Sequence, residues 1–287
     1  MEFFQYDFIQ RAFLAGLITA VVCPLIGAFV VVRRQALIGD GLGHIAFAGI
    51  MGGHLLGIFP TAAAATVTML GAAGIEFARR RHSQHADTAL AIFFYSGIAL
   101  AVIFSSMARV PGNNLLGVLF GSILTVSVGD LGLILIAGLL VVAAVYRYYA
   151  ELVLIAFDEE IARVSGVNAN FVNLLFSLLT ALVVVVGMQV VGILLVSALM
   201  VIPVASAHLL RQGFRATLAW AVAFSALAVI CGLVLAFFLD IAPGGTIVVT
   251  AVAGYILTLL ASRRHGAKLG NGTTLAAAAV SRDQKGD

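Results

Sequence analysis

The sequence predicts an all-α, polytopic membrane bundle of about nine (eight to nine) transmembrane helices. Three observations carry that prediction. Of 287 residues, 62% are hydrophobic and only 10% charged, and the mean hydropathy is +1.12; a water-soluble domain of this length cannot bury so much apolar surface. Apolar runs close to the thickness of a bilayer core recur along the whole chain. Once those runs are threaded through a membrane, fourteen of the sixteen Lys and Arg residues fall on one side, leaving only Arg11 and Arg109 on the other.

The expected spans are residues 11–32, 36–58, 60–78, 88–108, 130–149, 171–187, 190–210, 216–238 and 244–261. The first contains Pro24, which should kink it, and ends at Arg33-Arg34. The second and third meet at Phe59-Pro60, and the third ends in Arg79-Arg80-Arg81. Glu76 and Asp87 flank that basic turn and are expected to be solvated. Residues 115–127, LLGVLFGSILTVS, are apolar but too short to cross, and the charge pattern places both their ends on the outer side. They read as a re-entrant or half-membrane helix. Asp130 is placed to cap the fifth span. The sixth and seventh join through Gly187-Met188-Gln189, and Pro203 should kink the seventh. From Arg263 the chain turns polar and small, so residues 263–287 read as a flexible cytoplasmic tail on a transmembrane domain of residues 1–262. By the excess of Lys and Arg on one side, the N-terminus is expected outside and the C-terminus in the cytoplasm.

The longest connection on the basic side is Tyr149 to Asn170, and it contains FDEEIARVSGVN. Asp158, Glu159 and Glu160 suit a helix start. Ile161, Val164 and Ser165 would form a short amphipathic face, Gly166 can end the helix and Asn168 can cap the next span. Such a helix either covers a gap or docks a cytosolic partner.

Several function classes are excluded. The pI of 9.1 does not signal nucleic-acid binding, because the arginines flank spans and form no basic stripe with aromatics. The only lysines, Lys268 and Lys285, lie in the tail, and no GxxxxGK[ST] occurs, so the chain has no ATPase site of its own. HExxH and CxxC are absent. Cys23 and Cys231 stand alone in apolar runs and are expected to be packing residues. No cofactor is expected to be bound permanently.

Chemistry concentrates in the second span, RRQALIGDGLGHIAFAGIMGGHLLG, residues 33–57. An ionisable side chain inside a span costs a few kcal/mol on insertion scales, so Asp40, His44 and His54 are candidate functional residues. At about 100° per residue they fall within roughly 80° of one helix face. Carboxylate and imidazole together suit first-row metal ions. His54, nearer the outer end, is the weaker candidate. Asp40 also lies within two turns of Arg33 and Arg34 and could simply pair with one of them. Gly49, Gly53 and Gly57, at four-residue spacing, would let another backbone approach closely. His208 reads as an interfacial histidine, and Asp240, in the outer loop FLDIAPGG, either contacts a partner or terminates the helix.

Five stretches in order resemble the permease family of zinc, manganese and iron ATP-binding cassette importers, the ABC-3 family: RRQALIGDGLGHIAFAG, NNLLGVLFGSILTVSVGDL, FDEEIARVSGVN, VVGILLVSALMVIPVASA and LDIAPGGTIVV. The stretches lie between residues 33 and 249, and the resemblance extends over about residues 11 to 262. Ser122, Tyr95 and His208 depart from residues common in that family, which blurs the identity of the metal. The resemblance implies a type II importer fold in a bacterial inner membrane. It implies a homodimer of permeases, a cytoplasmic ATP-binding subunit and an extracytoplasmic metal-binding protein as partners, with no nucleic acid involved. It places the pore aspartate and histidine at Asp40 and His44, and the ATPase-coupling helix at Asp158 to Asn168, including Glu159, Glu160, Ala162, Arg163, Ser165 and Gly166. Two copies around a two-fold axis would then supply two carboxylates and two imidazoles to one passage. An ion-coupled secondary metal transporter, with Asp40 and His44 relaying protons, is the alternative.

Overall fold

The computed structural model describes residues 7–81, 86–111, 117–119, 121 and 127–262. Among the described residues, ten helices of six residues or more follow one another: α1 (Asp7–Val32), α2 (Ile38–Leu56), α3 (Pro60–Arg81), α4 (Ala86–Met107), α5 (Val128–Arg147), α6 (Tyr149–Phe157), α7 (Glu159–Val164), α8 (Ala169–Val191), α9 (Ile193–His208) and α10 (Phe214–Leu239). An eleventh, α11, covers Pro243–Ser262. Among the described residues all regular structure is helical. The expected re-entrant piece falls mostly, and the polar tail wholly, outside them.

Each of the nine expected spans coincides with a helix. Seven are long and apolar enough to cross a bilayer: α1, α3, α4, α5, α8, α10 and α11. The other two fall short for different reasons. Helix α9 has only 16 residues. Helix α2 has 19, and its apolarity is diluted by Asp40, His44, His54 and six glycines.

Helices α1 and α8 are the most buried of the crossing helices, whereas α4, α5 and α11 turn most of their surface outward. The outward face of α5 carries Leu133, Leu135, Ile136, Leu139 and Leu140, which suits lipid and would be unsupportable in water. Phe29 on α1 sits at the centre, its ring 6.2 Å from Phe176 of α8 and 5.1 Å from Phe214 of α10. Pro24 and Pro203 both lie inside continuous helices.

Helix α2 is held by its glycines. A methyl on Gly49 would stand 2.6 Å from Ala64 Cα, and one on Gly53 2.8 Å from Pro60 Cα, so α3 packs backbone to backbone against this face. On other sides Gly43 receives the Ile193 side chain of α9 and Gly41 receives Leu90 of α4. Without a hydrophobic drive inside lipid, such close approach supplies the dispersion contact that holds helices together. Gly57 plays a different part: its φ of 66° makes it the left-handed cap that ends α2.

Local signals behave as physical chemistry requires. Ser127 and Asp130 form a reciprocal capping box at the start of α5. Asn168 Oδ1 accepts from Phe171 N at 3.1 Å and starts α8. Asp240, with φ 52°, closes α10, and His208 is exposed at the end of α9. Cys23 is buried as a packing residue, but Cys231 faces outward.

Three expectations need correction. The sixth and seventh spans do not join through Gly187-Met188-Gln189: α8 runs unbroken to Val191 and the chain turns at Gly192, whose φ is 85°. The connection after α5 is not one short helix but two, because Tyr149–Phe157 forms α6 and buries Leu152, Ile155 and Ala156. Glu76 is not solvated: it is 3% exposed. Its carboxylate takes Arg79 Nε at 2.9 Å and Arg80 Nε at 2.9 Å, so its charge is compensated where α3 meets the core.

Candidate functional site

The first turns of α2 place Asp40 and His44 one above the other, both half-buried. Asp40 lines a cavity of about 480 Å³ together with Arg34, Gln35, Leu37, Phe94 and Tyr95. It takes part in no ion pair within 4 Å among the described residues. The simple pairing with Arg33 is not made, since Arg33 turns the other way. Its Nη1 donates to Asn173 Oδ1 at 3.0 Å, and its guanidinium lies 4.4 Å from the Phe176 ring centre.

His44 stands one turn deeper. Its ring meets Phe94 edge to face at 4.8 Å, and its Nδ1 is buried with no protein partner. Gly97 of α4 lies so close to the His44 backbone that an added Cβ would stand 2.9 Å from the His44 carbonyl carbon. The structure thus brings Asp40 and His44 together. It does not bring His54 to them: ten residues on, about 15 Å along the axis, His54 is exposed in the last turn of α2. Among the described residues no three His, Cys, Asp or Glu side chains converge on one point.

The second candidate region is α7. Asp158 Oδ1 accepts from Glu160 N at 2.9 Å and Ile161 N at 3.0 Å, which caps the helix. Gly166, with φ 84°, ends it, and its N–H donates to Arg163 O at 3.1 Å. Ala162 is fully buried against the bundle, whereas Phe157, Ile161 and Val164 are exposed. Glu159 ties α7 down: it accepts from Arg163 Nη2 at 2.7 Å and from Arg79 Nη1 at 3.3 Å. Arg80 Nη2 adds a bond to the Asn170 carbonyl. The cluster Glu76, Arg79, Arg80 and Glu159 therefore fastens α7 to the end of α3. Its sequence signal was the spacing of Glu76 to Arg79 and Arg80, three and four residues on, which places all three on one face.

Arg33 feels this cluster. Burial, with the Arg79 charge adding to it, pushes its guanidinium down to about 10, against the opposing pull of Glu76 and Glu159. Glu159 moves oppositely. Burial alone would raise its carboxyl, but the Arg163 bond and the Arg79 charge outweigh burial and hold it below its ordinary 4.5. A carboxyl lowered on folding contributes stability above its unfolded value and loses it as pH falls through the folded one. Glu159→Gln should therefore lower stability by about 1 kcal/mol at pH 7. The gap between variant and wild type should narrow below pH 4.5. Thermal melting of the detergent-solubilised protein at both pH values measures this, and a gap that widens in acid would refute it.

The ABC 3 transport family model matches residues 5–262. The chain belongs to that family. A probable metal transport system membrane protein of Treponema pallidum (strain Nichols) is 37% identical over 255 residues, covering 89% of this chain and 96% of the relative. The manganese transport system membrane protein MntC of Listeria monocytogenes is 30% identical over 262 residues, covering 91% and 93%. In three dimensions the chain is similar to PsaBC from Streptococcus pneumoniae, solved in complex with Fab. The TM-score is 0.80 at 27% identity, covering 90% of this chain and 92% of that one. Membership of the ABC 3 family makes the chain a multi-pass membrane permease and a component of a transport system.

Proposed function

We propose that the chain is the permease subunit of an ATP-binding cassette importer for divalent transition-metal ions, the metal passing Asp40 and His44. The observation that carries this reading is the placement of both side chains, unpaired with any described cation, on one face of a glycine-packed helix. Asp40 there lines a cavity. Two such pairs, one from each of two copies, would supply the four ligands that a divalent ion usually requires. A pore site must also release its ion, so incomplete coordination within one chain is suited to passage. Similarity to transporters described as acting on metal and on manganese supports the choice of cargo.

The partners follow from the same reading. The exposed apolar residues Phe157, Ile161 and Val164 around α7 offer a docking face for a cytoplasmic ATP-binding subunit, and an extracytoplasmic metal-binding protein would deliver the ion. In this arrangement ATP hydrolysis belongs to the partner. The test is ATP-driven uptake of a radioactive metal ion into vesicles holding permease, ATPase and binding protein; uptake independent of ATP would favour an ion-coupled carrier.

Orientation is part of the proposal: N-terminus outside, α7 and the C-terminus in the cytoplasm. A reporter fused at Gly266 should report cytoplasm and one fused at Asn113 outside. The reverse result would invert the docking face and refute the partner assignment.

A further inference from the structure

We propose that Phe94 is an aromatic gate that separates the Asp40-lined cavity from His44. The proposal rests on the reading that Asp40 and His44 mark the ion path.

Helices α2 and α4 both start at the arginine-rich end, beside Arg33-Arg34 and Arg79–Arg81. They run the same way, so Leu90 lies level with Asp40, and Phe94 with His44, one turn or about 6 Å deeper. The cavity is lined by Asp40, Leu90, Ala91, Phe94 and Tyr95, but not by His44. Phe94 forms part of its wall, and His44 lies against that ring, edge to face at 4.8 Å. The consequence is asymmetric. Asp40 borders open space, while His44, half-buried overall, keeps its Nδ1 away from solvent and without a protein partner. A buried polar atom left unpaired costs free energy, a cost that a ligand reaching it would relieve.

The packing decides how. Helix α4 cannot slide past α2 without collision, because Gly97 is in backbone contact with His44 and Leu90 fills the space over Gly41. The cheaper motion is rotation of the Phe94 side chain. Room exists for it: a cavity of ~150 Å³ already accepts a benzene molecule, and this one measures about 480 Å³. With the ring in place the constriction is apolar and excludes water and hydrated ions. With the ring swung into the cavity, Asp40 and His44 share one space.

Thiol labelling tests this independently of transport. The assembled permease and ATPase carry Cys231→Ser, which removes the outward-facing thiol, and the buried Cys23 provides the background. His44→Cys is then exposed to a charged, water-soluble thiol reagent with Phe94 present or replaced by Ala. The expected result is a rise in labelling rate of about an order of magnitude on Phe94→Ala, since a dewetted constriction is removed. A smaller rise is expected for Phe94→Leu, and none for Phe94→Trp. Asp40→Cys, already facing the cavity, should label at the same rate in all four backgrounds. Equal rates at position 44 with and without Phe94, in complexes that copurify with their ATPase, would overturn the gate. Failure of the path reading is seen separately, as normal metal uptake by Asp40→Asn and His44→Ala.

Discussion

Vesicles carrying Asp40→Asn or His44→Ala should take up no metal above the ATP-free background, while each variant permease still copurifies with its ATPase. Asn keeps the shape of Asp and removes only the charge. Asp40 takes part in no described ion pair, so the change strands no buried cation, the usual reason such substitutions unfold proteins. Removing His44 deletes an imidazole that packs edge to face with Phe94. It leaves a small void beside residues that are already half-buried, at a cost of about 1–2 kcal/mol. Neither change should prevent assembly. On the proposed reading both remove ligands twice over in a two-fold assembly, so transport should fail completely, not in proportion. Isotope uptake beside the wild type measures this. Near-normal uptake by both variants would remove Asp40 and His44 from the path.

Gly166→Pro should separate ATP hydrolysis from transport. Gly166 has φ 84°, whereas proline is fixed near −65° and has no N–H, a conflict that costs about 3 kcal/mol or more. The lost donor is the one that closes α7 on Arg163 O. A Cβ at this position would meet nothing within 4 Å, so the effect comes from the backbone and not from crowding. Gly166→Ala is the control: it keeps the N–H, bears only the left-handed penalty of about 1–2 kcal/mol, and should transport at a reduced rate. For the proline variant we expect ATPase activity in the complex with metal uptake reduced to a tenth or less, about 1.4 kcal/mol or more of lost coupling. Normal uptake at normal expression would show that α7 is a connector and not the docking element.

Much of this was legible in the chain. Apolar runs set by bilayer thickness gave the helices, because in lipid every backbone polar group must be satisfied within its own helix. Capping chemistry is equally local: Asn168 was readable as the cap of α8, and Asp158 and Asp130 as residues of helix starts, whereas Ser127, the N-cap that pairs with Asp130, was not singled out. The Asp40–His44 pair was visible because helical spacing alone puts residues four apart on one face. The glycine face of α2 was readable as a place of close approach, though its partners were not.

What the sequence determined by itself, then, was the helical membrane class, the place of the ionisable pair and the start of α7. These depend on interactions within a turn or within one span. The tertiary structure alone decided which way each charge points. Arg33 lies next in sequence to the span that holds Asp40, yet it turns to Asn173, 140 residues away. Glu76, read as solvated, is drawn into a buried cluster that fastens α7 to α3. Phe94, one aromatic among 19 phenylalanines, becomes distinctive only when α4 packs on α2 and sets its ring against His44. Burial and long-range partners are properties of packed helices, and no spacing along one helix encodes them.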